Sequence, residues 1–184
     1  MDPSIDSSIN DAPENGTEEN SSAEKEITSE EETSTEKETT EEQAETEELI
    51  INIYYSDQMA EYLIPESRII SSENKFVDSL FELMKKPIDS SLTPLIPDTT
   101  TINSVIIEEG NAKVDLSQEL LDDRFVSDTV DILLLYSIVN TLTQFQEINS
   151  VTIYINGEKL DILGQLDIKD PVFRRNDLIK DNQG

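Results

Sequence analysis

Residues Val139 to Gly157 read VNTLTQFQEINSVTIYING. An apolar run, ILLLYSIV over Ile132 to Val139, leads into this stretch, and a β-rich segment ending in Asn-Gly leads out of it. The periodicity predicts a helix over Asp128 to Phe145 with Ser127 as its N-cap. A strand over Ser150 to Ile155 and a tight turn at Asn156-Gly157 follow. On a helical wheel Val130, Leu134, Leu135, Ile138, Thr141, Leu142 and Phe145 share the buried arc. Asn140 falls on the opposite arc beside Leu133, Ser137 and Gln144, so it is expected to face solvent, a loop or a partner. Thr141 sits at the core's edge, where its hydroxyl can bond back to the carbonyl of residue 137. Leu133 and Tyr136 place two large apolar groups on the polar side. Leu133, Tyr136, Asn140 and Gln144 are therefore a candidate interaction surface, covered by the C-terminal segment or by another molecule.

Upstream, ELIINIYY (Glu48 to Tyr55) is nearly continuous in β-forming apolar residues, as in a strand covered on parts of both faces. YLIPESRII reads as two short extended pieces around Pro65. SSENKFVDSLFELMKKP is a helix whose Phe76, Val77, Leu80, Phe81 and Met84 lie within an arc of about 140°, with Ser72 as cap and Pro87 as terminator. INSVIIEEGNAKVDLS reads as a hairpin, Ile102 to Glu108 and Ala112 to Leu116, turning at Glu109 to Asn111. EKLDIL returns from the Asn-Gly turn. The expected fold is α+β, a small mixed sheet of three to four strands with two helices packed on one face, over residues 48–170. Residues 171–184 form a tail without a clear period.

Residues 1–47 hold 17 acids and 2 bases, the remainder 24 acids and 11 bases, for a net charge of −28. Such a chain repels nucleic acid and anionic membrane surfaces. The N-terminal part, with TSEEETSTEKETTEEQAETEE (Thr28 to Glu48) as its core, is too poor in apolar residues to offset about 1–2 kcal/mol per residue of ordering entropy. It is expected to be a disordered acidic spacer or tether. No signal peptide precedes it, so an anchor is expected to lie outside this chain.

Cysteine and histidine are both absent, which excludes Ser-His-Asp and Cys-His catalysis and the usual zinc sites. The carboxylate pairs Glu108-Glu109 and Asp122-Asp123 are the remaining catalytic candidates, but sequence neighbours seldom converge across a cleft as glycosidase acids must. LDDRFVSD and LDIKD lack calcium-loop spacing. No cofactor or metal is expected. Arg174 and Arg175 read as a solvated charge pair or a contact for an acidic partner. Tyr54, Tyr55, Tyr62 and Tyr154 could form a platform for glycans such as peptidoglycan.

Three ordered motifs carry a family resemblance: IYYSDQMAEYLIPESRII, LIPDTTTINSVIIEEGNAKVDLSQEL and LLLYSIVNTLTQFQEINSVTIYING. Together they resemble the GerMN domain of sporulation and spore-germination proteins. The resemblance implies a ring-building-type α+β module, anchored outside the cytoplasmic membrane of Gram-positive bacteria as a lipoprotein or otherwise, without enzymatic activity. It implies partners among envelope or sporulation proteins, or self-association. It maps the family's recurrent positions onto Tyr62, Pro65, Asp115, Asn140, Thr141, Leu142 and Gly157, with structural roles. Where the family often has Gly-His, this chain has Gly164-Gln165.

Overall fold

The computed structural model describes residues 47–180. The acidic spacer expected over residues 1–47 lies, but for Glu47, outside the described residues. The chain is mixed α+β, with β1 (Glu48–Ser56), β2 (Leu63–Ser71), α1 (Lys75–Met84), β3 (Ile102–Glu108), β4 (Asn111–Leu116), α2 (Glu119–Asp122) and α3 (Asp128–Leu142). After these come β5 (Ser150–Ile155), β6 (Glu158–Lys159), β7 (Ile162–Leu163), β8 (Leu166–Asp167), β9 (Val172–Phe173) and a 3₁₀ turn (Asn176–Leu178). The strands divide into a β1–β2 ribbon, a sheet ordered β3-β4-β5-β6 with β9 also on β5, and a small β7–β8 hairpin.

β4 and β5 are parallel, so the chain between them must cross back, and α3 is that crossover. The two tight hairpin turns are built from left-handed residues: Glu109 and Gly110 at φ 51° and 79°, Asn156 and Gly157 at φ 49° and 83°. This double positive φ matches the right-handed twist of the flanking strands. Asp115 Oδ1 accepts the Gly157 N–H at 3.0 Å, which fastens the second turn to β4.

From Leu63 onward YLIPESRII is one continuous strand, β2, not two pieces. Pro65 pairs with Tyr54 within an unbroken β1–β2 register; a ribbon strand has an outer edge where the missing N–H costs nothing. Helix α1 is rotated from its expected setting, burying Ser79, Leu80 and Leu83 while Phe81 stays 52 % exposed. Its N-cap is Asn74 rather than Ser72. The larger departure is α3. Buried residues cover its whole circumference, Asp131 and Leu133 to Leu135 and then Ser137 to Leu142, as in a helix enclosed on all sides. The second side is closed by Leu163, Ile168 and the segment after Asp170, which pack into the same core. Residues 171–180 thus join the domain through β9 and the bonds described below.

Candidate interaction surface

The sequence leaves the polar side of α3 to the C-terminal segment or to another molecule, and there the structure shows internal seams. Asn140 is fully buried. Its Nδ2–H donates to the Arg175 carbonyl and its Oδ1 accepts the Arg175 N–H, both at 3.0 Å. One helical turn later, Gln144 repeats the arrangement on β1: its Oε1 accepts the Asn52 N–H at 2.9 Å, and its Nε2–H donates to the Asn52 carbonyl at 2.8 Å. A side-chain amide carries one donor and one acceptor in the same plane as a peptide group, so each amide stands in for a strand residue. Asn140 satisfies the C-terminal segment and Gln144 the open edge of the ribbon. Asn140 lies in the last turn of α3 and Gln144 in the turn that directly follows it.

The C-terminal segment is held further by three cations over tyrosine rings. Arg174 lies 5.5 Å from the Tyr54 centroid, Arg175 5.3 Å from Tyr136 and Lys180 5.1 Å from Tyr62. Arg174 also donates to the Asn140 carbonyl at 2.6 Å and the Tyr54 hydroxyl at 2.7 Å. Arg175 pairs with Asp177 at 2.5 Å, which holds the carboxyl below its usual range and the guanidinium above its own. Arg174 and Arg175 therefore fasten this strap instead of forming a free charge pair. Leu133, 1 % exposed, and Asn140 are covered by their own chain, and Tyr136 is half-buried. Of the two covers the sequence allows for Leu133, Tyr136, Asn140 and Gln144, the C-terminal segment supplies that of Leu133, Tyr136 and Asn140, and β1 meets Gln144.

The remaining candidates are dispersed. The Thr141 hydroxyl is buried without a bonding partner; the residues that bond back along α3 are Ser137, to the Leu134 carbonyl, and Thr143, to that of Val139. Tyr54 and Tyr55 are buried, at 3 % and 0 % exposure, so they cannot stack on a sugar. The Tyr55 hydroxyl instead bonds the Lys85 carbonyl at 2.8 Å and the Glu82 carbonyl at 3.2 Å, closing the end of α1. Burial pushes its pKa up to about 12, against the opposing pull of Arg68. Glu108 pairs with Lys113 at 2.5 Å, and Glu109 occupies the hairpin turn. Among the described residues no cluster of three carboxylates is placed to hold a metal.

What the sequence reading missed is a cleft of about 460 Å³ walled by three loops. The β1–β2 turn contributes Asp57 and Ala60, the loop before β3 contributes Pro94 to Asp98, and the α2–α3 loop contributes Asp123 to Phe125, with Val130 from α3. Phe125 and Val126 are 74 % and 69 % exposed, and Met59 in the first loop 75 %. The signal available in the sequence was PLIP and an aperiodic Phe-Val pair inside an acidic loop.

Gly164 marks a further close approach. It turns β7 into β8 at φ 58°, and a Cβ there would lie 2.1 Å from Asp131 Oδ2. Asp131, 1 % exposed, pairs with Arg124 at 2.8 Å. The position therefore admits only glycine.

The chain matches the profile of the family described as Germane, sporulation and spore germination, over residues 52–161. No curated protein matches it. Among solved structures it is similar to the first GerMN domain of the sporulation protein GerM from Bacillus subtilis. That likeness has a TM-score of 0.57 and 24 % identity, over 68 % of this chain and 98 % of that one. It is likewise similar to the tandem GerMN domains of the same protein, with a TM-score of 0.58 and 23 % identity over 69 % of this chain. The chain spans about half, 46 %, of that tandem structure. With the α+β fold and both hairpin turns inside the matched region, the chain belongs to the sporulation and spore germination family.

Proposed function

We propose that this chain is a non-catalytic interaction module of the bacterial cell envelope, serving sporulation or spore germination from an anchored position outside the cytoplasmic membrane. The observation that carries this reading is the division of its polar groups. Asn140, Gln144, Asp115, Arg174 and the Tyr55 hydroxyl are each committed to backbone groups of their own chain, while large apolar side chains stand exposed on the loops. Groups so committed hold a scaffold rigid and are not themselves free to act as acid, base or nucleophile; exposed apolar groups favour contact with another surface. Family membership supplies the sporulation and germination setting.

The test is sedimentation velocity of the full chain, alone over a wide concentration range and mixed with solubilised envelope from sporulating cells, followed by crosslinking. The expected outcome is a discrete heavier species in at least one arm. A chain that remains monomeric in both and crosslinks to nothing would remove the proposal.

A further inference from the structure

The three-loop cleft has a charge and a shape that select a class of occupant. We propose that it docks a cationic segment of a protein partner, in which one aromatic or branched aliphatic side chain is flanked by lysine or arginine. This rests on the reading of the chain as an interaction module and adds the site and the chemistry of the partner.

The walls are built in advance. Asp57 Oδ1 accepts the N–H groups of Glu61 and Tyr62 at 2.8 and 3.1 Å, which locks the first loop. Ser56 and Thr93 exchange both backbone bonds, at 3.0 and 2.8 Å, and so join the first loop to the second. The Thr99 hydroxyl donates to Asp123 Oδ2 at 2.6 Å and joins the second to the third. Arg124, on the third loop, is held by Asp131 and by the Leu121 carbonyl. A cleft whose loops are already fixed loses little ordering entropy when it is filled.

The lining is apolar where it is deep and acidic at its margins. Leu95 and Ile96 are buried, Pro94 and Pro97 line the cleft beside them, and Phe125 is exposed. Pockets of this kind hold a single large apolar anchor. Around it lie the carboxylates of Asp57, Asp98 and Asp123. Two cations also line the cleft, but Arg124 is already neutralised by buried Asp131, which leaves Lys86 alone against three carboxylates. The whole chain carries −28. That field repels a second copy, nucleic acid and anionic headgroups, and it draws in a positively charged segment.

The experiment maps amide shifts of the isotopically labelled full chain against three synthetic peptides: one Phe between pairs of Lys, the same peptide with Ser for Phe, and the same with Glu for Lys. The proposal expects shifts confined to residues 56–60, 93–98 and 123–126 with the Phe-Lys peptide. It expects affinity to fall roughly tenfold in Phe125→Ser and more modestly in Asp98→Asn, with added salt weakening binding. Equal shifts from the Ser peptide would reduce the effect to unspecific charge and overturn the proposal, as would shifts centred elsewhere or none. Concentration-dependent changes at the cleft without peptide would assign it to a second copy and also overturn it. If the peptides fail while a heavier species still forms with envelope proteins, this site falls and the interaction-module reading stands.

Discussion

The α3 seam and the three-loop cleft are both places where polar and apolar side chains mix, and they use the mixture in opposite ways. At the seam each amide faces a backbone residue with the matching donor and acceptor, and the strap from residue 171 covers the result. At the cleft the bonds are spent inside the loops that form the walls, while Phe125 and Asp98 are left exposed. The difference teaches that a polar residue beside a core says little about function until its bonding partners are counted. Fully paired amides read as scaffold, and a rigid rim with open groups reads as presentation.

If the seam is scaffold, removing its buried amide has the largest effect. Asn140→Ala leaves the Arg175 N–H and carbonyl without partners under a covered surface, so it is expected to cost about 2–4 kcal/mol. The loss should appear as a lower midpoint in urea, with the strap signals from residues 172–180 broadening first. A midpoint shift too small to measure would mean that the β9 pairing, the Arg174 bonds and the cation–ring contacts hold the strap without this amide.

The joint between β1 and α1 gives the next effect, and it depends on pH. The Tyr55 pKa is raised to about 12 in the folded chain from about 10 when unfolded. The folded state therefore holds its proton to higher pH than the unfolded state does. The associated stability is fully present below pH 10 and is lost as pH rises from about 10 to 12, an expected loss of about 1–2 kcal/mol after solvent screening. Tyr55→Phe should be less stable at neutral pH, through the lost bonds to the end of α1, and should show a flatter decline above pH 10. Parallel alkaline profiles for the two proteins would place the titrating group elsewhere.

Legibility in the sequence followed the range of the forces involved. Both hairpin turns were readable because Gly110 and the Asn156-Gly157 pair favour positive φ locally. The α+β class followed from runs of one period each. The enclosure of α3 was readable only as one of two alternatives, its own C-terminal segment or another molecule, because the residues that cover it lie some 20 to 40 positions downstream in short strands and charged pairs with no period of their own. Arg174 and Arg175 look like solvent-facing charges until the Tyr54 and Tyr136 rings appear beneath them. Pro65 reads as a break unless the strand is known to lie at an outer edge. The cleft, assembled from three loops far apart in sequence, left only the aperiodic Phe125 and Val126 as a trace.

Gln144 tests the seam at its exposed end, where the effect is smaller. Gln144→Ala is expected to cost about 0.5–1 kcal/mol, since water can replace its two bonds to Asn52. The sharper readout is local: hydrogen exchange at the Asn52 amide should speed up while its neighbours in the β1–β2 register hold their protection. Unchanged exchange at Asn52 would show that the ribbon edge is closed by something other than this amide.

The smallest expected effect lies at the cleft, and it decides the comparison. Phe125 is a large apolar residue that contributes little burial, being 74 % exposed, so Phe125→Ser should change stability by less than about 0.5 kcal/mol in either direction. A side chain of that size kept in water by a domain that buries Tyr54 and Tyr55 has no stabilising reason to be there. Thermal melts of the variant and the parent should superimpose. A loss comparable to that of Asn140→Ala would mean that Phe125 is a buried anchor of the α2–α3 loop, and the cleft would then join the seam as scaffold.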